Sequence, residues 1–215
     1  MNKKVPLILW SFFILYLILG SAVGGFAAEN YFPLVLNTHY TYKVFFQDNE
    51  FLEELVVKDF TKDGIHGYYF AHTDKRKLES MVIADTMFGL GAYSIDDGVL
   101  YTLSSSRDKE GKFTLLSMKQ KFLPNPIQPG DKTTFKAPFF PGKIVLTIVG
   151  FEALRVPAGL YNNCVKIKKE YIGAGGTESE YIWLADNIGM VKWQRKTGRI
   201  DELVLVKFPK KNEER

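Results

Sequence analysis

The sequence predicts an all-β domain, an antiparallel meander of about ten to twelve strands curled into a barrel or half-barrel. Three observations predict it. Apolar residues recur with period two, and no long stretch holds a convincing 3.6-residue period. The runs are separated by Gly, Asp, Asn and Pro at turn spacing. Seventeen Phe and eleven Tyr bring aromatic residues to 14% of the 215-residue chain, and such rings favour pleated surfaces.

The first element is not a strand. Lys3 and Lys4 precede an apolar run over residues 5–19, and small residues follow at Gly24, Gly25, Ala27 and Ala28. This is the layout of an export signal occupying residues 1–27, with Gly25 and Ala27 placed for cleavage before Ala28. Residues 5–28 are also long enough to span a bilayer if left uncut. Either way the lysines hold the N-terminus inside and the following chain goes out. A periplasmic or otherwise exported location is therefore expected, with an inner-membrane anchor as the alternative. Membrane contact is expected only through the leader.

Residues 28–208 read as one domain and 209–215 as a polar tail. Tyr40, Tyr42, Val44 and Phe46 alternate with Thr41, Lys43, Phe45 and Gln47, a half-buried strand. Runs over 51–57 and 65–72 flank a turn at Lys62-Asp63-Gly64. Residues 81–92 are apolar, with Gly89 and Gly91 opposing a helix. Asp96-Asp97-Gly98 marks a hairpin between 91–95 and 99–105, and 112–122 follows. Pro124, Pro126 and Pro129 exclude a central strand and suggest a crossover loop. Strands are then expected over 143–151, 164–172, 181–185, 190–195 and 202–208. Their turns lie at 156–159, 173–176, 186–189 and 197–198.

Composition excludes several classes. Hydrophobic residues make up 46% and charged residues 24%, which is globular and not disordered. The formal charge is +4, and without Lys3 and Lys4 the exported part carries about +2, too little to argue for nucleic acid. The C-terminal basic residues Arg199, Lys207, Lys210, Lys211 and Arg215 read as a solvated tail. A single cysteine, Cys164, allows no internal disulfide. It alternates with Lys166 and Lys168, which places the thiol toward solvent or at a strand start, as a dispensable residue.

No catalytic pattern emerges: there is no nucleophile elbow, zinc-protease motif, phosphate loop or dinucleotide fingerprint. An enzyme is not expected, nor a cofactor. His66 and His72 lie roughly 20 Å apart along one strand, too far to share a metal. Glu53 and Glu54 point to opposite faces. Glu178 and Glu180 share a face, where they read as edge charges. The abundant aromatic residues remain. They either fill a core or line a concave groove, with Tyr42, Phe46, Trp183 and Trp193 as the candidate lining.

Three segments resemble motifs of uncharacterised exported bacterial proteins. Residues 31–42, from Tyr31-Phe32-Pro33-Leu34 to Tyr40-Thr41-Tyr42, resemble their opening, with Asn37 where a Gly is usual. Val156-Pro157-Ala158-Gly159-Leu160-Tyr161, continuing to Cys164 and Lys166, is similar to their turn-and-strand. Trp183-Leu184-Ala185-Asp186-Asn187-Ile188-Gly189 looks like their closing hairpin. The resemblance is to DUF3108-like domains and, more loosely, to the periplasmic LolA and LolB lipoprotein carriers. It implies a curved antiparallel sheet around an apolar cavity and no catalytic residue. The expected function is an envelope protein binding a lipid or hydrophobic peptide during traffic or assembly. Envelope proteins are further candidate partners. The alternative is a structural or scaffold protein with a filled core.

Overall fold

The computed structural model describes residues 27–62, 64–73, 91–107, 113–136 and 141–210. The expected leader, the apolar stretch before Gly91 and the tail from 211 lie outside the described residues. A single turn of helix, α1 (Ala28–Tyr31), opens the described chain. Strands β1 (His39–Phe46), β2 (Asn49–Lys62), β3 (Ile65–His72), β4 (Gly91–Asp96), β5 (Val99–Arg107) and β6 (Phe113–Leu123) form the first half. The second half comprises β7 (Lys132–Phe135), β8 (Gly142–Val156), β9 (Gly159–Gly173), β10 (Gly176–Ala185), β11 (Gly189–Gln194) and β12 (Ile200–Lys207).

All twelve strands belong to one sheet, in the order β6-β5-β4-β3-β2-β1-β12-β11-β10-β9-β8-β7. Every pairing is antiparallel, and sequence neighbours pair throughout each half. The halves join through β1 and β12, where His39 pairs with Lys207 and Phe45 with Ile200. Curling brings the two outer strands, β6 and β7, side by side. The Gln120 side chain bridges them: its amide donates to the Lys136 carbonyl at 2.9 Å and its oxygen accepts from the Lys136 N–H at 2.9 Å. A side-chain amide thus imitates one rung of ladder at the seam of a nearly closed barrel.

Turn chemistry follows the sequence closely. Asp97 and Gly98 both adopt positive φ, 50° and 70°, as a two-residue hairpin loop of this twist requires. Asn37 has φ 62°, which is why Asn stands where related motifs carry Gly. The three-proline stretch joins β6 to β7 within the one sheet, and it buries Ile127.

Antiparallel alternation divides the connections between two ends of the barrel. At the helix end lie α1, the turns after β4, β6, β8 and β10, and the C-terminus of β12. At the opposite end lie the turns after β1, β9 and β11.

The interior of the helix end is aromatic. Phe32, just past α1, meets Tyr93 at 4.9 Å, Phe70 at 5.9 Å and Phe122 at 6.3 Å between ring centroids. Tyr40 reaches Phe70 at 5.8 Å, and Tyr93 reaches Phe122 at 5.9 Å. The tilted and edge-on geometries are those that ring quadrupoles favour. Ala28 and Tyr31 are buried with them, so the segment following the expected leader is the plug of the barrel.

Beside the plug, the ladder between β11 and β12 covers only residues 192–194 against 200–202. Side chains and a hairpin tip satisfy the carbonyls beyond it. Tyr40 and Tyr42 donate to the carbonyls of Ile188 at 3.0 Å and Met190 at 2.9 Å. The β8–β9 tip reaches across the barrel end, and the Ala158 N–H donates to the Leu203 carbonyl at 2.9 Å.

Candidate functional site

The aromatic candidates do not share one face. Tyr42 is fully buried inside the barrel, and burial holds its phenol well above the usual range. Phe46 lies on the same face of β1, half-buried toward the opposite end. In the β10–β11 hairpin, Trp193 pairs with Ile182, whereas Trp183 pairs with Lys192. That offset of one residue sends the indoles to opposite faces. Trp193 points inward. Trp183 lies on the outer wall, where its indole N–H donates to Glu152 at 2.5 Å and the Lys166 and Lys192 ammonium groups cover its ring at 5.1 and 5.9 Å. A common groove lining by Trp183 and Trp193 is therefore corrected, for the reason of register.

Cys164 is also corrected: it is buried and not solvent-facing. Asn163 adopts φ 57° and the β8–β9 register shifts between Glu152 and Leu154, so strand alternation breaks immediately before the thiol. Cys164 and Val165 are both buried, the thiol against the Tyr161 carbonyl at the strand tip. Burial, with Glu152 nearby, pushes the thiol up to about 11, and its Sγ contacts the Tyr161 carbonyl at 3.6 Å. This thiol is unreactive at neutral pH.

The interior of the opposite end is charged, which the sequence reading missed. Arg195 and Arg199 both grip Asp201, with Nε to carboxylate distances of 3.0 and 2.8 Å. Arg199 also pairs with Glu53. His72 approaches Glu53 at 3.5 Å. Burial raises the Glu53 carboxyl, and Arg199 opposes the rise. Arg199, expected in the solvated tail, is instead buried in this network.

Trp193 joins this network to a second one. The Arg195 guanidinium sits 3.8 Å above its ring, and the Lys169 ammonium lies 5.7 Å from it. Lys169 is 1% exposed and 4.0 Å from Glu180, whose carboxylate accepts from Tyr171 at 3.0 Å. Burial brings Lys169 down to about 8, against the pull of Glu180. Glu180 is thus an interior partner and not an edge charge, while Glu178 stays exposed and pairs with Lys196. One signal for Lys169 exists in the sequence. Lys168 and Lys169 are adjacent in a strand, so one of the two must face inward.

Opposite charges balance within each network, and the Arg–Asp pairs of the first are hydrogen-bonded, as buried ions require, whereas Lys169 and Glu180 face each other at 4.0 Å. The arrangement fixes register and orients Trp193, and it presents no uncompensated charge to a ligand. His39 is exposed, and His66 lies against Thr61 at 3.3 Å. No group of three or more metal-ligating side chains assembles among the described residues. None of the described helices is long and apolar enough to cross a membrane. At the helix end, Phe32, Pro33, Tyr40, Phe70, Gly189 and Met190 bound a shallow crevice of about 160 Å³.

No protein-family model matches the chain. No curated protein matches it in sequence. The likeness to DUF3108-like domains and to LolA and LolB therefore rests on the motifs alone. Among solved structures, the chain is similar to a protein of Bacteroides fragilis described as exported and of YmcC-like fold. The identity is 17% and the TM-score 0.43, with 82% of this chain and 98% of that one covered. It is also similar to a protein of Parabacteroides distasonis described as a lipoprotein, at 15% identity and a TM-score of 0.42, with the same coverage.

Proposed function

We propose that this chain is an exported, non-enzymatic envelope protein that acts as a rigid scaffold with a filled core. The observation that carries the scaffold reading is the interior itself: Phe32 occupies the centre of the helix end in contact with Phe70, Tyr93 and Phe122. Rings that touch one another leave no room for an acyl chain between them. The crevice beside Phe32 is an open, shallow depression with no room for even a water molecule, far short of the roughly 300 Å³ at which small-molecule pockets begin. Export is supported by the Lys3-Lys4 and apolar-run leader.

Binding of a lipid or hydrophobic peptide stands as the second reading, favoured by that same crevice and its apolar lining. It requires Phe32 to move aside. Native mass spectrometry of the protein recovered from its host envelope, with titration of a fluorescent fatty acid, separates the two. The scaffold predicts a clean mass and no saturable binding. It also predicts that Phe32→Ala loses about 3–5 kcal/mol of stability, as for a packed core ring. Co-purified lipid, with wild-type binding that competes with the probe, overturns the scaffold in favour of the carrier.

A further inference from the structure

Single exposed apolar side chains are ordinary, but their clustering is not. Val35, Leu36, Leu160, Leu205 and Phe208 are 42%, 39%, 53%, 42% and 43% exposed, and all belong to the helix end. Backbone pairing draws them together. The Ala158–Leu203 hydrogen bond sets the β8–β9 tip, with Leu160, against β12 a few residues before Leu205 and Phe208. The pairing of His39 with Lys207 sets the entry to β1 and the exit of β12 at the same end, with the 35–38 turn hydrogen-bonded to Val57 of β2. The other exposed large apolar residues are dispersed, with Phe51 and Leu52 at the opposite end and Val149 on the wall.

Charge accompanies the apolar cluster. Several lysines of the wall are neutralised locally: Lys43 by Glu50, Lys166 by Glu152, Lys168 by Glu170 and Lys192 by Glu202. Arg155, Lys207 and Lys210 are exposed beside the apolar cluster, and no carboxylate among the described residues pairs with them. Elsewhere on this end Asp96 is paired with Lys119 at 2.6 Å, Asp97 and Asp131 lie in turns after β4 and before β7, and Glu29 and Asp186 lie at or near α1. One sector of the rim is thus apolar and basic.

The leader connects at the same end. Ala28, the last residue of the span expected over 5–28, is buried in the plug instead, so an uncut span must end before it; the apolar run itself closes at residue 19. The eight residues between them reach about 28 Å even when fully extended. An uncut leader in a bilayer therefore holds the helix end of the barrel next to the headgroups.

We propose that this rim is a membrane-docking surface for an anionic bilayer. Val35, Leu36, Leu160 and Phe208 enter the headgroup boundary, and Arg155, Lys207 and Lys210 meet lipid phosphates, the combination that interfacial anchoring uses. The proposal rests on the export reading and adds a second contact to the leader. It is tested on the uncut full chain in vesicles of phosphatidylethanolamine and phosphatidylglycerol. Spin labels are placed by Leu160→Cys, Phe208→Cys and, as the opposite-end control, Leu52→Cys, each in a Cys164→Ser background. Circular dichroism checks the fold of each variant.

The expected result is that oxygen relaxes the labels at 160 and 208 several-fold more, relative to a soluble nickel reagent, than the label at 52. Replacing Lys207 and Lys210 by Gln, or phosphatidylglycerol by phosphatidylcholine, should weaken that contrast. Labels at 160 and 208 as water-exposed as the one at 52, on chains that float with the vesicles, overturn the docking surface and leave the leader reading intact. Labels shielded from both reagents identify a second copy or another protein as the occupant and overturn it too. Chains that fail to float overturn both readings.

Discussion

The Tyr42 hydroxyl donates a 2.9 Å hydrogen bond to the carbonyl of Met190, 148 residues along the chain and inside the barrel. It takes the place of a ladder bond that β12 does not make with this part of β11. Tyr42→Phe keeps the ring and removes only the donor. The Met190 carbonyl is then buried without that partner, so a stability loss of about 1–3 kcal/mol is expected in urea titration. A variant as stable as the wild type would show that the carbonyl finds water or another donor.

Lys169 makes stability depend on alkaline pH. In the folded chain it loses its proton near 8, and in the unfolded chain near 10.5. Between those values the unfolded state binds more protons, so this lysine's effect is to raise stability with pH across the window. Below about 8 both states are charged, and the burial penalty is paid in full. Lys169→Met removes the dependence while leaving the tyrosines in place. The wild-type minus variant difference should rise with pH by an amount of order 3 kcal/mol, measured by chemical denaturation. A flat difference would mean that the ammonium is solvated in the barrel.

Gln120 stitches the seam. Gln120→Leu withdraws both hydrogen bonds from Lys136, so faster amide exchange is expected at Lys136, with little change in the β8–β9 ladder. The uncovered strand edges are templates for pairing with other chains, so the variant should also associate more at high concentration in light scattering. Unchanged exchange at Lys136 would show that the seam holds without this side chain.

Much of the architecture was legible because local chemistry decides it. The Asp96-Asp97-Gly98 hairpin is read directly from residues that tolerate positive φ. Period-two runs gave the strands, often short by several residues, as where Glu152 and Arg155 extend β8 and Gly159 to Asn163 extend β9. What stayed hidden was which face points inward. Along β9 the lysines at 166, 168 and 169 occupy both faces, so hydrophobicity cannot orient the strand near Lys169, and alternation with Lys166 and Lys168 gives no sign that Cys164 is buried. The Trp183 and Trp193 pairing needed a hairpin register that the turn alone does not specify. Arg199 looked like a surface residue because its partner Glu53 lies at the other end of the domain in sequence.

The pairing of β1 with β12 has a consequence in time. These strands come from opposite ends of the described domain, so the ring that joins the two halves is the contact of greatest sequence separation. Its loop-closure entropy must be met before closure returns any favourable energy. A chain made and released from its N-terminal end presents β1 long before β12 arrives. Until then β1 has one neighbour, β2, and an unoccupied edge, and the interior charges of Glu53 await Arg199. Commitment to the native barrel therefore belongs to the stage at which β12 becomes available. Mutations in β12 should act on the yield of folded protein more than on the rate at which the early hairpins form.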